Sequence, residues 1–178
     1  LDIAKSISEG LARDIVGAKL DGEVIDLITP IHKGGKIEFL KFDSRDGKDV
    51  FWHTSTHLMA HAIKRLYPEA KLAIGPAVEN GFYYDIDLDY RLTQEDLEKI
   101  ENEMKKIVKE GYDIRRFELP ADEAIELMKK QKEDYKVEMI EDLAEGGENI
   151  SFYEQGDFVD LCAGPHLPNV KKIKAFKL

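Results

Sequence analysis

A single cysteine stands in the 178 residues. No internal disulfide framework can staple this chain, so it has to rest on a buried core, as suits a reducing cytosol. No run of about 18 apolar residues occurs, and no basic-then-apolar leader opens the chain. Nothing in the sequence reads as a membrane span or a secretory signal. Positive charge is also scarce: 26 Lys and Arg against 36 Asp and Glu leave a net charge of −10. That balance speaks against a protein that coats nucleic acid nonspecifically, because such binding is driven by Lys and Arg neutralising phosphates. Acidic residues in turn cease after Asp160, while Lys171, Lys172, Lys174 and Lys177 follow. Such a basic strip can guide one end of an RNA, but lysines on a solvated strand edge explain it better when the tail is taken alone. There is no long internal repeat and no low-complexity segment.

What is present suffices for a globular fold. The hydrophobic share is 43%, enough for one ordinary domain or a domain plus a small module. Ile3, Ala4 and Ile7 have helical spacing with Gly10 as a stop, so the first residue already lies inside an element. Ala18–Leu20, Asp21-Gly22 and Glu23-Val24 read as strand, turn and strand, and Gly34-Gly35 precedes the alternating Lys36–Leu40. Residues 1–43 cannot easily bury a core alone. They read as the later part of a small α+β module whose opening strands are absent. A turn at Asp43-Ser44-Arg45-Asp46-Gly47 marks the boundary, with residues 44–178 as the second domain.

The second domain opens on a helix running from Phe51 to Tyr67 and stopped by Pro68. Successive helical residues turn by about 100°, which puts His53 and His57 on one face, with His61 next in the same row. Lys71–Ile74 reads as a strand, Gly75-Pro76 and Asn80-Gly81 as turns, and Phe82, Tyr84 and Ile86 as a second strand. Gly75 and Gly81 let backbone approach a ligand closely, although plain turns explain them as well. Thr93-Gln94-Glu95-Asp96 is a capping box for a helix with the stripe Leu97, Ile100, Met104, Ile107 and Val108, stopped by Gly111. Pro120–Met128 is a further helix with proline at its start. Tyr135–Ile140 alternates and predicts a strand, Gly146–Asn149 a turn, and Ile150–Leu161 strand structure up to a loop at Cys162.

Three of the five histidines fall on one helix, and the single cysteine precedes His166 by four residues in a loop rich in Gly and Pro. His53, His57, Cys162 and His166 are ligand types that zinc takes. Thr54 follows His53, so the glutamate of the His-Glu-x-x-His metalloprotease pattern is absent and peptide hydrolysis is disfavoured. The same residues can also work without a metal, with histidine handling a water proton, a lysine steadying a carbonyl oxygen or a hydroxyl, and an aspartate holding the lysine or an amino group. Lys136 and Asp160 are candidates for the last two roles. Cys162 has no flanking base in the sequence, so a structural or size-selecting thiol and a nucleophile both stay open.

His53-Thr54-Ser55-Thr56-His57, Ile74-Gly75-Pro76, Asn80–Asp85, Tyr135-Lys136-Val137 and Asp160–His166 together resemble the editing domain of the bacterial-type threonyl-tRNA synthetase family. Ala18–Gly22 with Asp26-Leu27 resembles the later part of the TGS module of that family. The resemblance implies an α+β protein: a partial ubiquitin-like (β-grasp) TGS module at 1–43, then an editing domain at 44–178 with a His-bearing helix packed on an antiparallel sheet. It implies hydrolysis of the ester joining serine to threonine tRNA, a task set by the small discrimination, about 1 to 3 kcal/mol, that one methyl provides. His53 and Lys136 are the implied catalytic residues; His57, Gly75, Tyr84, Asp160, Cys162 and His166 are the implied substrate-binding residues.

By the same resemblance no metal is required, zinc remaining possible on His53, His57, Cys162 and His166 as in the related alanyl-type domains. ATP and a further zinc belong to a class II catalytic domain that the chain lacks, so aminoacylation by this chain alone is not expected. The implied partner is the 3′ end of threonine tRNA carrying serine, in the cytoplasm, with a parent that dimerises through the catalytic domain. The alternatives are a zinc-dependent, freestanding alanyl-type deacylase and a noncatalytic RNA-binding module.

Overall fold

Ser8 is extended between two six-residue helices, α1 (Asp2–Ile7) and α2 (Glu9–Asp14), and its hydroxyl accepts the Leu11 N–H. Gly10 therefore lies inside α2 and is not a stop: the break falls at Ser8, where capping a new helix satisfies a backbone N–H that would otherwise lack a partner. The computed structural model describes all residues except Asn80 and Glu148, so the turns expected at Asn80-Gly81 and Gly146–Asn149 fall partly outside the described residues.

Strands β1 (Ile15–Leu20), β2 (Glu23–Ile25) and β3 (Ile37–Lys41) form an antiparallel sheet in the order β2-β1-β3. The Asp21-Gly22 hairpin has positive φ at both residues, 52° and 93°, as a two-residue turn matched to strand twist requires. Ala4, Ala12, Ile15, Ala18 and Leu27 make a small core beneath it.

The 22-residue helix α3 (Arg45–Leu66) starts earlier than the sequence predicts, because the Ser44 hydroxyl accepts the Gly47 N–H and draws Arg45, Asp46 and Gly47 into its first turn. After it come four two-residue strands, β4 (Lys71–Leu72), β5 (Ala77–Val78), β6 (Gly81–Phe82) and β7 (Ile86–Asp87), paired β4 with β7 and β5 with β6. The single strand expected from Phe82, Tyr84 and Ile86 is thus split, with Tyr84 buried between the two pieces. Helix α4 (Gln94–Glu110) carries the expected Thr93/Asp96 capping box and ends at Gly111 with φ 74°.

Strand β8 (Ile114–Leu119), helices α5 (Ala121–Gln131) and α6 (Asp134–Ala144), and strands β9 (Ile150–Gln155) and β10 (Phe158–Leu161) complete the second part. Here the strand predicted at Tyr135–Ile140 is wrong, since those residues lie in α6. Lys136, Val137 and Ile140 are its buried face, a helical spacing that a six-residue window does not separate from alternation. The sheet runs β10-β9-β8, all antiparallel. Its register aligns Leu161, Phe152 and Phe117 on one face, where they pack with Ala124 and Met128 of α5 and Val137 and Ile140 of α6. The alternate residues Tyr153, Gln155, Phe158 and Asp160 occupy the opposite face, and α3 covers it: the Gln155 amide donates to the His57 carbonyl at 3.2 Å, and Phe158 meets the His57 ring edge to face. The architecture is α+β, and the His-bearing helix does pack on an antiparallel sheet.

The basic tail is not a strand edge. It forms a 3-10 turn at Val170–Lys172 followed by irregular chain. The Lys172 ammonium donates to the carbonyls of Arg13 and Ile15 at 2.9 and 2.7 Å, and Lys177 pairs with Glu101 at 2.5 Å. Two of the lysines are therefore spent on holding the tail to the body. No helix among the described residues is long and apolar enough to cross a membrane.

Candidate active site

One turn of α3 brings His53 and His57 to the same side, and the β10 exit loop lays Cys162 and His166 against them. The potential ligand atoms of these four residues all lie within 4.8 Å of one another. Cys162 Sγ is 3.2 Å from His53 Nε2 and 3.2 Å from His166 Nε2, and the Gly164 N–H donates to the same sulfur. Thr54, between the two helix histidines, fixes His166. Its hydroxyl donates to the Val50 carbonyl at 2.9 Å, which leaves the oxygen to accept the Leu167 N–H at 2.9 Å and His166 Nδ1–H at 3.1 Å. His166 then keeps an Nε2 lone pair facing the sulfur.

Burial sets the protonation of the cluster. It lowers the pKa of His57 to about 3 and that of His166 well below the ordinary imidazole range; it also lowers His53, with the Pro165 backbone opposing in part. All three imidazoles are neutral near pH 7 and offer lone pairs. Burial pushes the Cys162 thiol up to about 12, so it is not an activated thiolate nucleophile.

A second cluster adjoins the first. The Tyr84 hydroxyl donates to Asp160 Oδ2 at 2.6 Å, and the Lys136 ammonium donates to Asp160 Oδ1 at 2.9 Å and to Tyr84 Oη at 3.0 Å. Lys136 and Asp160 are only 3% and 2% exposed. Burial would raise the Asp160 carboxyl, but the Lys136 ammonium beside it and the hydrogen bonds from Tyr84 and Lys136 outweigh it and leave the pKa lowered. Burial and the neighbouring carboxylate raise the Tyr84 phenol, which stays protonated. His57 Nε2, 3.7 Å from Asp160 Oδ2, joins the two clusters.

Gly75 plays a different part from the other expected residues. A Cβ there would lie 2.4 Å from both Thr56 Cγ2 and Tyr84 Cδ2, so the glycine lets its loop close between α3 and Tyr84. A cleft of about 1040 Å³ lined by Arg45, Lys48, Trp52, His53, Val78 and Pro165 opens onto the cluster at His53. The structure thus gathers His53, His57, Cys162, His166, Lys136, Asp160 and Tyr84, with Gly75 behind them. Sequence reasoning missed Thr54, for which the hydroxyl-rich run between the histidines is a signal, and Asp26 and Tyr153, which touch the Cys162–His166 loop without any local signal.

Residues 1–41 match the TGS domain, and residues 150–178 match the domain described as the threonyl and alanyl tRNA synthetase second additional domain. The latter holds Asp160, Cys162 and His166. Over 178 residues the chain is 66% identical to the threonine–tRNA ligase of Clostridioides difficile, covering 100% of this chain and 28% of that ligase. Along its whole length the chain is similar to a region of the threonine–tRNA ligases. The threonine–tRNA ligase of Clostridium tetani is 61% identical over 177 residues, 99% of this chain, and that of Finegoldia magna 58% over 178 residues. The chain spans 28% of the length of these relatives.

Proposed function

We propose that this region of a threonine–tRNA ligase hydrolyses the ester of serine mischarged on threonine tRNA, as a post-transfer editing site. The observation that supports it most directly is the junction of a neutral imidazole and thiol cluster with the buried Lys136–Asp160–Tyr84 triad, behind a cleft that His53 lines. In this reading His53, half-exposed at the mouth, takes a proton from water as the water oxygen attacks the ester carbonyl carbon. The bond to the ribose oxygen breaks, the ribose oxygen takes up a proton, and serine and the tRNA terminus leave. Lys136 uses two of its three donors on Asp160 and Tyr84, and the third holds the ester carbonyl or the adjacent ribose hydroxyl. Asp160 receives the amino group of serine, and His57, Cys162, His166 and Tyr84 form a pocket too tight for the extra methyl of threonine. The domain boundary is placed at 43/44, the setting in the cytoplasm, and dimerisation in the parent ligase.

A deacylation assay comparing seryl and threonyl esters on threonine tRNA tests this directly. Seryl ester should be cleaved and threonyl ester spared, with the activity lost in His53→Ala and Lys136→Ala variants that remain folded. Equal cleavage of both esters, or full activity in both variants, refutes the assignment.

The donor set supports a second reading. Zinc sits about 2.3 Å from sulfur and about 2.0 Å from nitrogen, which spaces tetrahedral donors roughly 3.5 Å apart, and the 3.2 Å separations around Cys162 Sγ come close to this. His53, His57, Cys162 and His166 fit such an ion, which when bound supplies Lewis-acid polarisation of a carbonyl or a bound water. We infer that editing here does not require it. Elemental analysis beside turnover after chelation decides the point: one equivalent of zinc and loss of turnover on its removal favour the alanyl-type alternative.

A further inference from the structure

Asp26 belongs to the TGS-matching residues, yet both of its carboxylate oxygens are engaged by the second additional domain. Oδ1 accepts the His166 backbone N–H at 2.6 Å, and Oδ2 accepts the Tyr153 hydroxyl at 2.6 Å. The group is 6% exposed, and among the described residues no cation forms an ion pair with it. A buried carboxylate held only by neutral donors is a costly way to fill an interface. Its two partners explain what it does there. The Tyr153 ring lies under Gly164, where a Cβ would come within 2.0 Å of the tyrosine oxygen, and it meets the His166 ring edge to face at 4.4 Å. One carboxylate therefore ties down both the floor and the far end of the Gly164-Pro165-His166 turn, and that turn sets where His166 Nε2 and the Cys162 sulfur stand.

We propose that Asp26 is a positioning residue of the editing site, so that hydrolytic competence depends on a side chain supplied by the neighbouring TGS module. The proposal rests on the editing function argued above. Charge-assisted hydrogen bonds are short and roughly twice as strong as neutral ones. Their loss would let the turn relax and carry His166 away from His53 and His57, whose rings it meets at 4.2 and 4.3 Å.

The test compares Asp26→Ala, Asp26→Asn and Tyr153→Phe in the 178-residue chain. Asn keeps an oxygen for the His166 N–H, and Ala removes it. In Asp26→Ala, kcat for seryl-tRNA hydrolysis should fall about ten- to hundredfold with KM little changed, as for misplacement of a reacting group. Asn should restore most of it, and Tyr153→Phe should be intermediate. Unfolding curves identify conditions in which every variant is folded. Independently, the His166 amide proton should resonate downfield in the unaltered chain and move upfield in Asp26→Ala. Wild-type kcat in the Ala variant, equal loss in Ala and Asn, or an unmoved amide signal overturns the proposal. If the unaltered chain cleaves no ester, the editing reading falls and takes the catalytic claim with it, while the amide shift alone decides whether Asp26 holds the turn.

Discussion

Replacing Lys136 by Met should be far more damaging than removing an exposed lysine, and the penalty should depend on pH in a direction the structure fixes. The substitution keeps a long side chain in place but leaves Asp160, 2% exposed, with only the Tyr84 hydroxyl at 2.6 Å and His57 at 3.7 Å. Breaking one side of a buried ion pair costs about 3 to 5 kcal/mol, because the remaining charge stays buried without its partner. In the intact chain the Asp160 carboxyl is held low. Its contribution is therefore present above the unfolded carboxyl value of about 3.9 and is lost as pH falls through the lower folded value. Without the ammonium, burial wins and the folded carboxyl rises above the unfolded one. The unfolded state then deprotonates first, so the penalty is full near pH 7 and shrinks as pH falls toward about 4. Urea unfolding followed by the single Trp52, at neutral and acid pH, measures this. Lys136→Met/Asp160→Asn should regain at least about 2 kcal/mol of the loss at pH 7, since no charge is left stranded. A penalty under about 1 kcal/mol that is equal at both pH values would refute the reasoning.

The histidine cluster should also make the fold acid-labile. The unfolded chain binds protons below about pH 6.5 while folded His57, at about 3, does not, so this residue alone should withdraw about 2 kcal/mol by pH 5; a stability profile flat between pH 7 and pH 5 contradicts it. Gly75→Ala should lose about 1 to 3 kcal/mol through overpacking against Thr56 and Tyr84, and an unchanged thermal midpoint would show that the loop opens freely. Cys162 in chelator-treated protein should react with iodoacetamide at pH 8 about a hundredfold or more slowly than an unhindered thiol, as its burial requires; alkylation at the free-thiol rate would mean that the sulfur is exposed.

The convergence of these side chains is more legible in the sequence than the elements that carry them, and Lys136 shows why. The chemistry of His53, His57, Cys162 and His166 is carried by rare residue types at helical or loop spacing, so the lone Cys and a histidine pair one turn apart announce a convergence before any fold is known. Sequence reasoning singles out Lys136 as a site candidate while reading its segment as a strand, and the fold brings its ammonium against Asp160 and Tyr84 from a helix. Over Tyr135–Ile140 the pattern of Val137 and Met139 satisfies period two, and only the neighbouring context, with Val137 and Ile140 packed beside Ala124, Met128 and Phe152, selects the helix. Asp26 is the opposite case. Its partners are 127 and 140 residues away, no local periodicity encodes such a contact, and an Asp after a short strand looks like any turn residue. A long-range hydrogen bond is specified jointly by two packed surfaces, so its acceptor becomes readable only when β2 and the Gly164–His166 turn have been placed side by side. That is also why the contact between the Gly164–His166 turn and the Asp26 carboxylate can be seen in the fold and not in the chain.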